Sequence, residues 1–374
     1  MRHPVISIVG SVTILVAAAL PFFTINLGSP GVSQMPTKLD SVQAFMVLDR
    51  EFSAGRIAPS EIVVTGDVRS TPVQEAIASL RQRLAQDKAF AASSDVEVGS
   101  DGRVATFNVV VNGDPTDQSA LTTVKRLRNE YVPAAFAGTN ADVLVGGTTA
   151  STIDYIDTMD QYLPIVIAFV LTLSFILLMM VFRSIVIPVK AIVMNLLSVG
   201  AAYGLIVLVF QHGVGADLLG FQQSPQIAAF LPIFLFAILF GLSMDYHVFL
   251  LSRIQERFLK TGDNRGSVSY GLRSTAHIIT GAAAIMMMVF GGFALGDMVE
   301  LQQSGFGLAV AVLIDATIVR SILVPASMEM LGEWNWYLPT WLNWLPRISV
   351  EGPSPEPSQP AAAPMGAELV GAGE

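Results

Sequence analysis

Residues 225–251 read PQIAAFLPIFLFAILFGLSMDYHVFLL. A bilayer crossing needs about 20 apolar residues, so this run is long enough, yet it contains Asp245, Tyr246 and His247. An ionised carboxylate at such a depth costs about 2.5–3.5 kcal/mol on insertion scales. Intramembrane carboxylates are rare, and their usual work is proton or ion handling with a partner on another helix. Neighbouring residues on a helix point about 100° apart, so Asp245 and Tyr246 address different partners, the tyrosine hydroxyl being able to donate to a facing carboxylate. Gly241, four residues earlier, shares the face of Asp245 and would let another backbone approach closely. The alternative is Asp245 as neutral polar glue between helices. His247 lies on another face and reads as a packed neutral imidazole or as a titrating group.

Working outward, further apolar runs lie near 5–24, 162–182, 184–210, 274–296 and 304–330. With 225–251 they predict an α-helical polytopic membrane protein of six transmembrane helices, arranged as one plus five. Composition agrees: of 374 residues 52% are hydrophobic and 14% charged, where a soluble domain carries about 25% charged residues. The expected divisions are residues 1–27 as the first helix, 28–158 as a polar domain, 159–332 as a five-helix bundle and 333–374 as a tail. The tail is rich in Pro, Ala, Gly and Glu from about 350 and reads as disordered.

Basic residues set the orientation. Arg2 precedes the first helix, Arg183 and Lys190 lie between the second and third, and Arg253, Arg257, Lys260, Arg265 and Arg273 follow the fourth. Arg320 and Arg347 flank the end of the sixth, whereas 211–224 and 297–303 hold no Lys or Arg. Both termini are therefore expected in the cytoplasm and 28–158 outside, in the inner (plasma) membrane. Ala17, Ala18 and Ala19 offer a signal-peptide alternative for the first run, which leaves the following domain on the same side. The basic loop 253–272 reads either as a short amphipathic helix on the inner leaflet or as a solvated turn.

Within 28–158 strand patterns occur at 61–65, 95–98, 104–111 and 141–145, with helix patterns at 72–89 and 119–131. That order, βαββαβ, is the ferredoxin-like arrangement, preceded by a leading helix at 41–52. A helix over 151–160 is expected to run straight into the second span.

A second intramembrane carboxylate, Asp315, lies about ten residues from either end of the last run. It reads as part of the same proton path, or as one side of an interhelical hydrogen bond or a pair with Arg320. Arg320 itself is expected to snorkel to the inner surface. Gly305 and Gly307 favour tight packing near it. The small residues around His277, Thr280 and Gly281 suggest another close interface, and Met286, Met287 and Met288 adaptable apolar filling.

Several classes are excluded. The net charge is −9 and no basic stripe occurs, which argues against a nucleic-acid partner. There is no cysteine, hence no disulfide or thiolate metal site. Phosphate-loop, H-E-x-x-H and G-x-S-x-G motifs are all missing from the sequence, so neither ATP-driven transport by this chain nor hydrolase chemistry is supported. No cofactor, no metal and no enzymatic activity are expected.

The stretches 240–256 (FGLSMDYHVFLLSRIQE), 306–320 (FGLAVAVLIDATIVR), 324–326 (VPA) and 334–336 (WNW) resemble the MMPL transporters of the resistance-nodulation-division superfamily, and specifically their C-terminal half. The resemblance covers roughly 1–342. It implies proton-motive-force-driven export of lipids or other hydrophobic molecules, with 28–158 as an extracytoplasmic α+β porter domain. It also implies an Asp–Tyr relay on the fourth helix of each half, matched here by Asp245 and Tyr246. Full-length members resemble two such halves, so the expected partners are membrane lipids, a hydrophobic or lipid substrate and a second six-helix half. That half would be a separate N-terminal half or a second copy. A truncated, non-transporting scaffold or sensor-like module is the alternative, since the six-helix unit also resembles sterol-sensing domains.

Overall fold

The computed structural model describes residues 3–342 and 344, apart from 30, 33, 34, 37 and 53. The tail from 350, Arg347 and Arg2 lie outside the described residues. Among the described residues six helices are long and apolar enough to cross a membrane: Pro4–Thr24, Thr148–Phe182, Val186–Gln211, Leu231–Thr261, Asn264–Ala294 and Val299–Trp336. They are called here the first to sixth long helices. The second begins at Thr148, so one continuous helix leads from the polar segment into the bundle.

Several boundaries differ from the sequence expectation: the helix expected over 72–89 ends at Gln86, an unexpected strand occupies Phe90–Ser93, the strand expected over 95–98 is confined to Glu97–Val98, and both ends of the fourth long helix move. The fourth long helix starts at Leu231 rather than near 225, because Ile227–Ala228 (β7) pairs in parallel with Leu27–Gly28 (β1). At its other end the basic stretch after Arg253 is neither a separate interfacial helix nor a solvated loop. The helix runs on to Thr261 and the next begins at Asn264. Glu256 pairs with Arg253 at 3.1 Å and with Lys260 at 2.7 Å, the i,i+3 and i,i+4 spacings that support a helix.

Between the first and second long helices lies an α+β segment. Its strands are Ser60–Thr65 (β2), Phe90–Ser93 (β3), Glu97–Val98 (β4), Val104–Val111 (β5) and Asp142–Gly146 (β6). They pair in the order β3-β5-β2-β6, all antiparallel, with β4 also on β5. Alternation decides the faces: Ala105, Phe107, Val109 and Val111 of β5 are buried, as a period of two requires. The helix Thr71–Gln86 buries Val73, Ala76, Ile77, Leu80 and Leu84, the spacing of one helical stripe. A second helical stretch, Gln118–Arg126 extended through Phe136, covers the same core.

The two covering helices are tied at one end. Asp87 accepts hydrogen bonds from the Ala89 amide (2.9 Å), the Tyr131 hydroxyl (2.8 Å) and Arg126 (2.6 Å). Those donors hold its carboxyl below the ordinary aspartate value, the Ala89 amide contributing most and Tyr131 next.

The α+β segment joins the bundle through buried amides. Gln303 of the sixth long helix accepts from the Ala228 amide and donates to the Gln226 carbonyl, both at 3.1 Å. Gln226 in turn donates to the Thr116 carbonyl at 3.1 Å. Within the bundle, Gly305 lies against the fifth long helix so closely that a Cβ there would overlap the Ala294 nitrogen and the Phe290 oxygen.

Two expectations follow. Gly305→Val should destabilise the protein by about 1–3 kcal/mol or more, as overpacking does, read as a lower unfolding temperature in detergent. Asp87→Asn should lower the unfolding temperature near neutral pH. A depressed carboxyl contributes stability above its unfolded value and loses it as pH falls through its folded value, so the gap between variant and wild type should close in acid.

Candidate functional site

The sixth long helix is not α-helical throughout. Val299–Ile314 is α, Asp315–Leu323 is a π-helix and Val324–Leu331 is α again. A π-helix bonds residue i to i+5, so residues five apart are stacked. Asp315 and Arg320 have that spacing, and Arg320 Nη2 donates to Asp315 Oδ2 at 2.6 Å. Arg320 is 3% exposed and Asp315 9%.

The expectation that Arg320 snorkels to the surface is therefore corrected: it turns inward. The π turn brings it over Asp315, and the fourth long helix completes its surroundings. Its Nη2 also donates to the Ser243 carbonyl at 2.8 Å, and its guanidinium lies 4.7 Å from the Tyr246 ring centroid, within cation–π range.

The cluster extends to two more helices. Ser243 Oγ donates to Asn195 Oδ1 of the third long helix at 2.8 Å. Tyr246 Oη donates to Met286 Sδ of the fifth at 3.4 Å, a weak bond to a soft acceptor. Asn195, Ser243, Tyr246, Met286, Asp315 and Arg320 all line one small cavity of about 20 Å³, otherwise largely apolar. Asp315 Oδ1, Arg320 Nε and Asn195 Nδ2 are buried and have no hydrogen-bond partner. A carboxylate that shares one oxygen with a guanidinium and keeps the other unbonded can accept a proton at the second.

Asp245 is placed differently. It is exposed, on a stripe with Phe234, Ala237 and Gly241 that no other helix among the described residues covers. A Cβ on Gly241 would meet nothing within 4 Å. Tyr246 sits on the flank between that open stripe and Arg320. The structure thus brings Tyr246 and Asp315 together through Arg320 and leaves Asp245 on the adjoining open face. Gly305 and Gly307 pack tightly, Gly307 against Ile206 and Leu235, but they lie ten and eight residues before Asp315, about 15 and 12 Å along the axis. His247 is fully buried with neither ring nitrogen bonded. His277, Thr280 and Gly281 are exposed on the fifth long helix.

The sequence reading misses Asn195 and Ser243 as members of the cluster. Asn195 carried a usable signal, a carboxamide within an apolar run, since such groups bond across helices in membranes. Among the described residues no group of three or more metal-ligating side chains occurs.

The chain matches the MMPL family over residues 33–356. It is 37% identical over 361 residues to the mycolic acid-containing lipids exporter MmpL11 of Mycolicibacterium smegmatis, covering 95% of this chain and 38% of that protein. It is 37% identical over 360 residues to the heme uptake protein MmpL11 of Mycobacterium tuberculosis H37Rv, covering 95% and 37%. The trehalose monomycolate exporter MmpL3 of Mycobacterium tuberculosis CDC 1551 is 30% identical over 361 residues, covering 92% and 37%. The chain thus spans less than two fifths of the length of these relatives. Six apolar helices, a buried ion pair among them and a match over most of the chain lead to one conclusion: this multi-pass membrane protein belongs to the MMPL family of transporters.

Proposed function

We propose that the chain forms one half of a proton-motive-force-driven exporter of lipids or other hydrophobic molecules, with Asp245, Tyr246 and Asp315 in its proton path. The observation that carries this reading is the pairing of an open stripe ending in Asp245 with the Tyr246–Arg320–Asp315 cluster beside it. A carboxylate on an uncovered face within a span is costly. A second six-helix unit laid along Phe234, Ala237 and Gly241 would enclose Asp245 and bring a matching helix to it. That unit can be a separate half or a second copy of this one, since parallel repeats of such bundles meet across a two-fold axis.

In this reading a proton arriving at Asp315 weakens its bond to Arg320. A buried guanidinium without a counter-charge is strongly unfavourable, so the cluster rearranges. The sixth long helix bears both residues and, through Gln303, holds β7, which pairs with the strand Leu27–Gly28 that leads into the α+β segment. Proton transfer and movement of that segment are thereby linked. The antiparallel order β3-β5-β2-β6 supports a ferredoxin-like porter domain over about 28–158. The basic residues support its extracytoplasmic placement, with both termini in the cytoplasm of the inner-membrane cell face. Export of lipids by relatives named for it supports the substrate class.

In the assembled transporter Asp245→Asn should abolish proton-driven export in vesicles while leaving assembly intact; unaltered export would sink the relay. Asp315→Asn alone should destabilise the fold by about 3–5 kcal/mol, because it strands a buried charge. Combining it with Arg320→Gln should recover most of the unfolding temperature but none of the export.

A further inference from the structure

The chain has four tryptophans, Trp334, Trp336, Trp341 and Trp344, and all fall between residues 334 and 344. They follow the helical part of the sixth long helix, where Gly332 at φ +54° turns the chain. A side chain is rarely tolerated at such an angle. Beyond the turn the residues divide by direction. Asn335 is fully buried: its carbonyl accepts from Ser184 Oγ at 2.6 Å and its Oδ1 from Lys190 Nζ at 3.1 Å, while its Nδ2 donates to the Met328 and Gly332 carbonyls. Leu342 is buried too, and Trp336 stacks on Phe258 with centroids 5.5 Å apart. Trp334, Trp341 and Trp344 instead point outward, 69%, 71% and 75% exposed, with Tyr337 beside Trp334.

We infer that residues 332–342 together with Trp344 form a collar seated in the lipid headgroup layer at the end of the bundle opposite the α+β segment, with Trp334, Trp341 and Trp344 as its lipid contacts. Three large aromatic rings are poorly placed in bulk water. In the hydrocarbon core their indole N–H groups would find no acceptor. The interface satisfies both ends of the side chain, which is why Trp and Tyr concentrate there. Charge points to the same occupant: Arg183, Arg253, Arg257, Lys260 and Arg265 outnumber Glu256, Asp263, Glu329 and Glu333 at this end of the bundle, a composition that attracts anionic headgroups. Asn335 pins the collar through Ser184 to the turn between the second and third long helices and through Lys190 to the third. The collar therefore fixes the depth of the sixth long helix, and with it that of Asp315 and Arg320. This holds whether or not the chain transports anything.

No other segment contributes tryptophan, so the fluorescence of the full chain excited beyond tyrosine absorption reports on the collar alone. The chain is placed in lipid nanodiscs, and quenching is compared for lipids brominated near the glycerol, lipids brominated near the chain methyls, and acrylamide in the water. Shallow bromines should remove most of the emission, deep bromines and acrylamide several-fold less. Trp336→Phe should keep this pattern. The combined Trp334→Ala, Trp341→Ala and Trp344→Ala variant should lose the shallow quenching. Dominant acrylamide quenching would overturn the proposal by placing the rings in water or reserving them for a protein partner. Dominant deep quenching, or shallow quenching that survives in the combined variant, would overturn it equally.

Discussion

A guanidinium that cannot reach water governs the centre of this bundle. Arg320 is enclosed by helices, and a charge in that position must be neutralised and bonded or the fold fails. Asp315 neutralises it, the Ser243 carbonyl accepts from it and the Tyr246 ring lies against it. Each of these comes from a position that the long helices must hold in register. The ion pair adds little net stability by itself, because desolvating both charges offsets much of their attraction. Its effect is to specify how the fourth and sixth long helices meet.

The rest of the packing keeps those two helices in place at either end. Toward the α+β segment, Gln303 clasps β7, and Gly305 and Gly307 let neighbouring helices close in. At the far end, Asn335 joins the close of the sixth long helix to Ser184 and Lys190. Between the two lies the cavity with its unbonded polar atoms. Rigid ends around a polar, incompletely satisfied middle are what a switching element needs: the energetic stakes of each bond are high where water is scarce.

Much of this was open to reading along the chain, and the exceptions have physical causes. The six apolar runs announced themselves by length and composition, and β5 by its alternation. Asp245 and Asp315 stood out because carboxylates are so costly within a span. The pair between Asp315 and Arg320 is one of the readings the sequence allows, but the outward direction expected of Arg320 is wrong: 3.6 residues per turn puts a residue five positions on about 140° away from Asp315, and only the π turn, which no composition signal marks, stacks them. The start of the fourth long helix was misplaced because Ile227 and Ala228 suit a buried strand as well as a helix, and their partner strand is two hundred residues earlier. The basic stretch beyond Arg253 was misread although the Glu256 spacings to Arg253 and Lys260 favoured continuing the helix. Asn195 and Ser243 were passed over because one small polar group in an apolar run has no periodicity of its own.

The π stretch of the sixth long helix, Asp315–Leu323, has a further consequence. A wide turn holds more chain per unit of rise than the α-helix on either side, and such turns are rare and frequent at functional sites. Converting it to α geometry would rotate everything beyond Leu323 relative to Gln303 without breaking either flanking helix. The sixth helix thus carries its own slack, located in the residues that hold the buried charges, so that neutralising one carboxyl could be expressed as torsion along the helix axis.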